Sequence, residues 1–156
     1  MTLRPPAVDP ATLEPRTDSG YPEPYRSRVL PREKRQLGLA LGLTQFGVNL
    51  TTLPPGKESS MRHSHTHEEE FVYVLEGEVV LRTDGGEQLL RAGCCAGFPA
   101  GSGDGHQLIN RSAHRAVYLE VGTQNEADEV FYPDVDMLYN PPGQRGKFTR
   151  RDGTPY

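Results

Sequence analysis

The sequence predicts an all-β domain, folded as a sandwich or a barrel of short strands. The chain has 156 residues, a length typical of one domain with a buried core. Its 17 glycines and 14 prolines disfavour long helices and favour strands joined by tight turns. Polar and apolar residues alternate repeatedly along the chain, whereas no stretch of about twelve residues has a convincing helical period.

The first 36 residues are expected to form an extended, proline-rich N-terminal arm. Residues 1–31 carry seven of the fourteen prolines, and proline fixes φ and removes a backbone donor. The segment also contains apolar side chains, so its later half is expected to lie across a sheet or a partner subunit. These side chains are Tyr21, Tyr25, Val29 and Leu30.

Residues 37–124 are expected to form the barrel. Leucine alternates with glycine and alanine from Leu37 to Leu43, and β-branched residues follow as far as Leu53, before Pro54-Pro55-Gly56. This pattern predicts the opening strands, and Asp84-Gly85-Gly86 is typical of a hairpin turn. Further strands are expected over residues 71–75, 78–83, 88–91, 95–99, 106–110 and 116–121.

Strand 71–75 has apolar side chains on both faces. Val72 and Val74 share one face, while Phe71, Tyr73 and Leu75 share the other. A strand of this kind is covered on both sides, so the arm or a second subunit is expected to cover the second face.

The C-terminal residues 125–156 are interpreted as an extension that packs on the barrel. Within it, Asn125 to Val130 is the best helical candidate in the chain.

Composition and charge exclude several classes of function. The net charge is −4, and no run of lysine and arginine suggests a nucleic-acid-binding face. The densest basic stretch, 32–35, includes Glu33 and is interpreted as a solvated segment. No apolar run approaches the ~18 residues of a membrane helix, and the N-terminus lacks the apolar core of a signal peptide. We therefore expect a cytoplasmic protein that binds neither nucleic acid nor membrane.

Three of the five histidines lie within the sequence RHSHTHEEEF, residues 62–71. Imidazole is a common ligand of transition metals, and carboxylates complete such sites. Residues i and i+2 of a strand point the same way, so either His63 with His65 or His65 with His67 could bind one ion. The competing interpretation is a solvated loop of acidic residues and histidines.

The carboxylate ligand could come from any of the three consecutive glutamates, 68–70. Glu70 shares a strand face with Val72 and Val74, the face assigned to the interior. A buried carboxylate needs a partner, and a cation supplies one. Alternation therefore favours Glu70.

Two spaced motifs make the sequence similar to the cupin superfamily. The first family motif is G-x5-H-x-H-x3,4-E-x6-G, and this chain matches it at Gly56, His63, His65, Glu70 and Gly77, with one extra residue after Gly56. The second is G-x5-P-x-G-x2-H-x3-N, matched at Gly93, Pro99, Gly101, His106 and Asn110, with two extra residues before His106. The sequence also resembles a bacterial branch of small single-domain cupins.

The resemblance implies a double-stranded β-helix, the jelly-roll barrel of cupins, with one divalent transition metal per chain. The implied ligands are His63, His65, Glu70 and His106. Zinc, iron, manganese and nickel all suit such ligands. Glu70 is also the candidate catalytic residue, for proton transfer. Asn110 is expected to fix its turn, while His67 and His114 are expected to lie outside the set of ligands.

The resemblance leaves three kinds of function open. The first is a metalloenzyme acting on a small molecule, either a sugar isomerase or epimerase or a dioxygenase. The alternative is a non-catalytic small-molecule-binding or sensor cupin, and the third is an interaction module with an inactive site. A homodimer is the expected assembly. The side chains considered for the cavity wall are Gln45, Asn49, Thr51, Tyr118 and Glu120.

A sugar-phosphate substrate would need a basic pocket. The cations nearest to the motifs in sequence are Lys57, Arg62, Arg82 and Arg111. Each of them is also compatible with an ordinary surface charge.

The two cysteines are adjacent, at Cys94 and Cys95. Neighbouring cysteines rarely form a disulfide, because the ring would strain the peptide bond. They are interpreted as small buried apolar residues, with a reactive thiol or a metal ligand as the alternative.

Overall fold

Twelve strands provide most of the regular structure in the computed structural model, which describes residues 3–156. The strands are β1 (Glu33–Gln36), β2 (Phe46–Leu53), β3 (Ser64–His65), β4 (Glu70–Glu76), β5 (Glu78–Thr83), β6 (Gly86–Arg91), β7 (Cys95–Phe98), β8 (Gln107–Ile109), β9 (Ala116–Thr123), β10 (Val130–Tyr132), β11 (Met137–Tyr139) and β12 (Phe148–Thr149). A 3₁₀ turn (Pro10–Thr12) and the short helices α1 (Tyr25–Val29) and α2 (Leu37–Ala40) complete the set. None of these helices has the length and apolar character needed to cross a membrane.

The strands form three antiparallel sheets. The first has the order β1-β2-β9-β4-β7, the second β6-β5-β8 and the third β12-β11-β10-β3. The first two sheets contribute buried side chains to one apolar core, which includes Leu53, Val74, Val79, Leu81 and Leu108. This is the jelly-roll barrel that the motifs predict, and the fold class is confirmed.

Glycine at position 77 separates β4 from β5. Its φ is 73°, a left-handed conformation that other residues rarely adopt. A Cβ at this position would lie 2.6 Å from the carbonyl oxygen of Arg115. Both observations explain why glycine stands at the end of the first motif.

Two local predictions are wrong. The leucine-rich stretch expected to open as a strand begins with helix α2, because its glycine packs close to β2: a Cβ on Gly38 would lie 2.9 Å from the backbone nitrogen of Val48. The expected helix Asn125 to Val130 is a turn followed by β10. There the Asn125 side chain accepts a hydrogen bond from the backbone N–H of Ala127, a local bond that competes with a helix.

Residues of the N-terminal and C-terminal segments, together with Met61, build a second apolar cluster. Its buried members are Val29, Met61, Val130, Tyr132 and Met137. The ring of Tyr21 lies 6.0 Å from that of Tyr132 and 5.3 Å from that of Phe148, measured between centroids. The later part of the N-terminal segment therefore packs on the third sheet, and helix α1 replaces the extended chain expected at this point.

The outer face of β4 is exposed. Phe71, Tyr73 and Leu75 keep 42%, 38% and 46% of their surface accessible, and no segment within residues 3–156 covers them. Leu119 and Val121 on β9 lie directly opposite Tyr73 and Phe71 and extend this apolar face. The N-terminal arm does not cover the face, contrary to one of the two expectations.

Candidate metal centre

Four motif residues meet inside the barrel. His65 belongs to β3 and Glu70 begins β4. His63 and His106 pair through their backbones, because each N–H donates to the other's carbonyl oxygen, at 3.1 and 2.8 Å. This bridge joins the two motifs through residues that are more than forty positions apart in the sequence.

The three imidazoles converge on one carboxylate oxygen. Glu70 Oε2 lies 2.6 Å from Nε2 of His106, 3.4 Å from Nε2 of His65 and 3.5 Å from Nε2 of His63. Three nitrogens and one oxygen form a set of donors that suits several divalent transition metals. The motif residues thus lie where one cation could contact all four side chains.

Hydrogen bonds at Nδ1 of His63 and His65 fix the orientation of both rings relative to Glu70. His63 Nδ1 lies 2.9 Å from the carbonyl oxygen of Met61, so we assign the proton to Nδ1, which donates to that oxygen. His65 Nδ1 lies 2.6 Å from a carboxylate oxygen of Asp128 and donates to it in the same way. In both rings Nε2 faces Glu70, and it can donate its lone pair to a metal once the ring is neutral, as in ligating histidines.

Unpartnered polar atoms give a test of whether a metal fits. His65 Nε2 is buried and forms no hydrogen bond with the described part of the chain. A buried polar atom without a partner is costly, and a cation beside Glu70 would remove that cost. The donor atoms therefore fit a metal.

The charges in this cluster depend strongly on one another. Burial acts to raise the pKa of Glu70, but the hydrogen bond with His106 and the close imidazoles of His63 and His65 outweigh it and hold the pKa well below its usual value. Burial lowers the pKa of His65, while the nearby Glu70 carboxylate and the hydrogen-bonded Asp128 carboxylate outweigh it and raise that pKa to about 9. Burial lowers the pKa of His106.

Asp128 is a buried residue of the site that the sequence analysis missed. It is 3% exposed and, besides His65, it accepts hydrogen bonds from the backbone N–H groups of His67 and Glu68, at 2.8 and 3.1 Å. Its position lies in the segment wrongly expected to be a helix. No motif or periodic pattern marks it, because its partners are some sixty residues away.

The cluster opens on a cavity of about 350 Å³. Of the five side chains considered for its wall, Tyr118 and Glu120 line it. Asn49 reaches the cavity indirectly, by donating to the Glu120 carboxylate at 3.1 Å. Thr51 is buried beside Tyr118 on the neighbouring strand, and Gln45 is exposed.

The cations of the cavity wall differ from those expected. Arg62 pairs with Asp84 and Asp134, and Arg111 pairs with Glu87. None of the four expected cations lines the cavity: Lys57, Arg62, Arg82 and Arg111. The N-terminal segment instead supplies Arg16, Arg32 and Lys34. The interpretation of 32–35 as a solvated segment is therefore wrong. Arg32 and Lys34 are two positions apart, a spacing that places both side chains on one face of a strand. This spacing is the signal that could have corrected the interpretation.

The remaining histidines and both cysteines lie outside the cluster. His67 and His114 are exposed, as expected. Cys94 and Cys95 are also exposed and free, so their interpretation as buried apolar residues is wrong. β7 is an edge strand, which leaves its first residue, Cys95, close to solvent.

Comparisons with known proteins agree with this architecture. The family model for the cupin domain matches residues 49–122. A protein from Silicibacter pomeroyi, described as a sugar phosphate isomerase from a cupin superfamily, is 43% identical over 97% of this chain and 96% of its own, with a TM-score of 0.90. A candidate sugar phosphate isomerase from Acidithiobacillus ferrooxidans is 32% identical over 76% of this chain and 74% of its own, with a TM-score of 0.69.

A more distant structure shows the fold alone. A predicted oxalate decarboxylase from Thermotoga maritima is 23% identical over 76% of this chain and 99% of its own, with a TM-score of 0.63. Among curated proteins, none matches the chain. The barrel, the motif residues and the similarity to the Silicibacter pomeroyi protein define the class: the chain belongs to the cupin superfamily.

Proposed function

We propose that this protein is a metal-dependent isomerase that acts on a phosphorylated sugar. The observation that carries the proposal is the convergence of three imidazole nitrogens on Glu70 at the wall of a small-molecule-sized cavity. The substrate class is supported by the two similar structures described as sugar phosphate isomerases, since the first of them aligns with nearly the whole chain.

The proposed ligands of one divalent transition metal are His63, His65, Glu70 and His106. When bound, such an ion polarises a carbonyl or enediol oxygen of the substrate. Asp128 and the Met61 carbonyl hold two of the rings in the required orientation. Zinc, iron, manganese and nickel are all compatible with these donors.

Isomerisation of a sugar also requires a group that moves a proton. The low pKa of Glu70 makes its carboxylate a weak base, so its proposed role is to hold the metal. Glu120 lines the same cavity from β9 and lies opposite Val72 on β4. We assign proton transfer to Glu120, which Lys34 and Asn49 orient through hydrogen bonds.

The test is proton exchange measured by NMR in D₂O. Metal-loaded protein is incubated with aldose and ketose phosphates, and deuterium at the carbons next to the carbonyl is followed. Wild type is expected to exchange and interconvert at least one pair. Glu120→Gln should retain the metal and lose exchange, whereas Glu69→Gln, an exposed neighbour of the site, should behave as wild type.

Other outcomes separate the alternative functions. Binding of a sugar phosphate without exchange or turnover would support a non-catalytic binding protein. Oxygen consumption with no isomerisation would support a dioxygenase. Absence of metal after reconstitution would contradict the proposed ligands and favour an interaction module.

We also propose that the protein forms a homodimer through the outer face of β4 and β9. The exposed Phe71 and Tyr73 lie beside Val121 and Leu119, and contiguous exposed apolar surface marks interaction sites. Analytical ultracentrifugation should show a dimer for wild type and a monomer for Tyr73→Asp. Ala113→Asp, in an exposed turn, should remain dimeric; a monomeric wild type would contradict the proposal.

A further inference from the structure

We infer that Arg32 and Tyr118 form a binding site for the anionic phosphate group of the substrate, in the same cavity as the metal centre. The inference rests on the proposed function and names the residues that recognise the charged end of the sugar. It starts from two hydrogen-bond donors of the cavity wall that have no acceptor.

Arg32 is the cation left without a counter-charge. Its Nε is buried and forms no hydrogen bond, and its guanidinium pairs with no carboxylate within residues 3–156. A buried guanidinium nitrogen without an acceptor is costly. Because Arg32 lines the cavity, a ligand there could supply the missing acceptor.

The other two cations of the wall are already neutralised. Arg16 Nε donates to Asp18 at 2.5 Å, and Lys34 pairs with Glu120. These pairs leave Arg32 as the cavity cation, among the residues described, that is available to a ligand. The charge of Glu120 is already paired with that of Lys34, and the same carboxylate accepts a hydrogen bond from Asn49.

Tyr118 supplies the second donor. Its side chain is completely buried beside that of Thr51, and neither of the two hydroxyls forms a hydrogen bond of normal geometry in the described chain. Burial and the charge of Glu120 raise the pKa of Tyr118, and the positive charge of Arg32 opposes them. The hydroxyl therefore stays protonated and can donate, and Tyr118 lines the same cavity as Arg32.

A phosphate monoester matches these two donors. It carries negative charge and several acceptor oxygens, and arginine binds such a group through paired, charge-assisted hydrogen bonds. A carboxylate shares part of this chemistry, so the experiment must separate the two anions. The sugar would then lie between Arg32 and the imidazole cluster, since both line one cavity.

The test measures binding of inorganic phosphate to metal-free protein by isothermal titration calorimetry. Without metal, phosphate cannot bind by coordination to the ion. Arg32→Gln should weaken phosphate binding by about tenfold or more, the usual loss for a charge-assisted hydrogen bond. Tyr118→Phe should weaken it less, and Arg32→Lys should restore part of the affinity.

The matched control is Arg26→Gln, which removes the same charge from an exposed position of the same N-terminal segment, outside the cavity. It should bind phosphate like wild type. Acetate and malonate form the second arm, and binding tighter than that of phosphate would overturn the assignment to phosphate. Equal affinities for Arg32→Gln and Arg26→Gln, or no phosphate binding by wild type, would overturn the site itself.

Failure of this inference can be told apart from failure of the proposed function. If Arg32→Gln isomerises sugar phosphates with an unchanged KM, the function stands and the phosphate site is wrong. If phosphate binding depends on Arg32 but no sugar phosphate is isomerised, the site stands and the function is wrong. Thermal melting of each variant checks that the fold is retained.

Discussion

Two parts of the cavity wall are built in different ways. The proposed metal site consists of side chains on or beside barrel strands, and the backbone bridge between His63 and His106 holds its two motifs together. The other part comes from the flanking segments, which supply Arg32 to the wall and place Asp128 behind His65. The difference suggests that the barrel provides the shared chemistry of the superfamily, while the flanking segments orient the donors and select the ligand.

The largest expected effect is a loss of metal affinity when Glu70, at the proposed metal site in the barrel, is replaced. Glu70→Gln removes the anionic oxygen on which three imidazoles converge, so metal affinity should fall by more than about 100-fold, beyond the loss typical of an outer hydrogen-bond partner. Metal content measured by plasma mass spectrometry checks this. Glu69→Gln is the matched control, and equal metal content in both variants would contradict the ligand assignment.

A change in the flanking segments should lower metal affinity by a smaller but measurable factor. Asp128→Asn weakens the bond that orients His65, and metal affinity should fall by about 10–100-fold, as for other outer-shell partners of ligating histidines. Competition with a chromophoric chelator measures the affinity. Glu129→Gln changes the exposed neighbour and should match wild type; a similar loss in both variants would mean that Asp128 does not orient the ring.

The two apolar clusters provide a matched test of stability. Val74 in the barrel core and Val29 in the cluster of the flanking segments are both fully buried. Each change to alanine should lower the free energy of unfolding by about 2 kcal/mol. Chemical denaturation checks this. A much smaller loss for Val29→Ala would show that the flanking segments contribute little to the stability of the barrel.

The stability of the metal-free protein should depend on pH through His65. Its pKa is about 9 in the folded chain, compared with a usual value of 6.5. The folded state therefore binds this proton more tightly, and the resulting stability is present below pH 6.5 and lost as pH rises to 9. His106 acts in the opposite sense and only below pH 6.5, because its pKa is lowered.

Thermal melting between pH 6.5 and 9 measures this dependence. The melting temperature of the metal-free protein should decrease over that interval, while metal affinity should increase, because the proton must leave before a metal binds. Asp128→Asn should flatten both trends. A melting temperature that rises with pH in the metal-free protein would contradict the raised pKa.

The smallest effect is expected at the surface histidine. His114 is exposed in a turn and its ring lies outside the cluster, so His114→Ala should leave metal content and stability unchanged within about 0.5 kcal/mol. Metal analysis and denaturation measure both. A loss of metal would show that the cluster extends further than the four motif residues.

Much of the barrel could be predicted from the sequence because strand formation depends on local pattern. The alternation around Val72 and Val74 marks β4, and Asp84-Gly85-Gly86 lies at the turn between β5 and β6. The predictions failed where a tertiary contact overrode the local pattern. Gly38 packs against the backbone of Val48 and the leucine-rich stretch becomes helix α2.

The fold class and the residues that converge on Glu70 could be predicted from the amino-acid sequence, because both depend on short spacings and on the pairing of two motifs. The packing of distant segments placed Arg32 on the cavity wall and Asp128 against His65, and it left Phe71 and Tyr73 exposed. A single charged residue in an irregular segment carries no periodic signal. Its position depends on how the ends of the chain pack on the barrel, and that packing is set by contacts between residues far apart in the sequence.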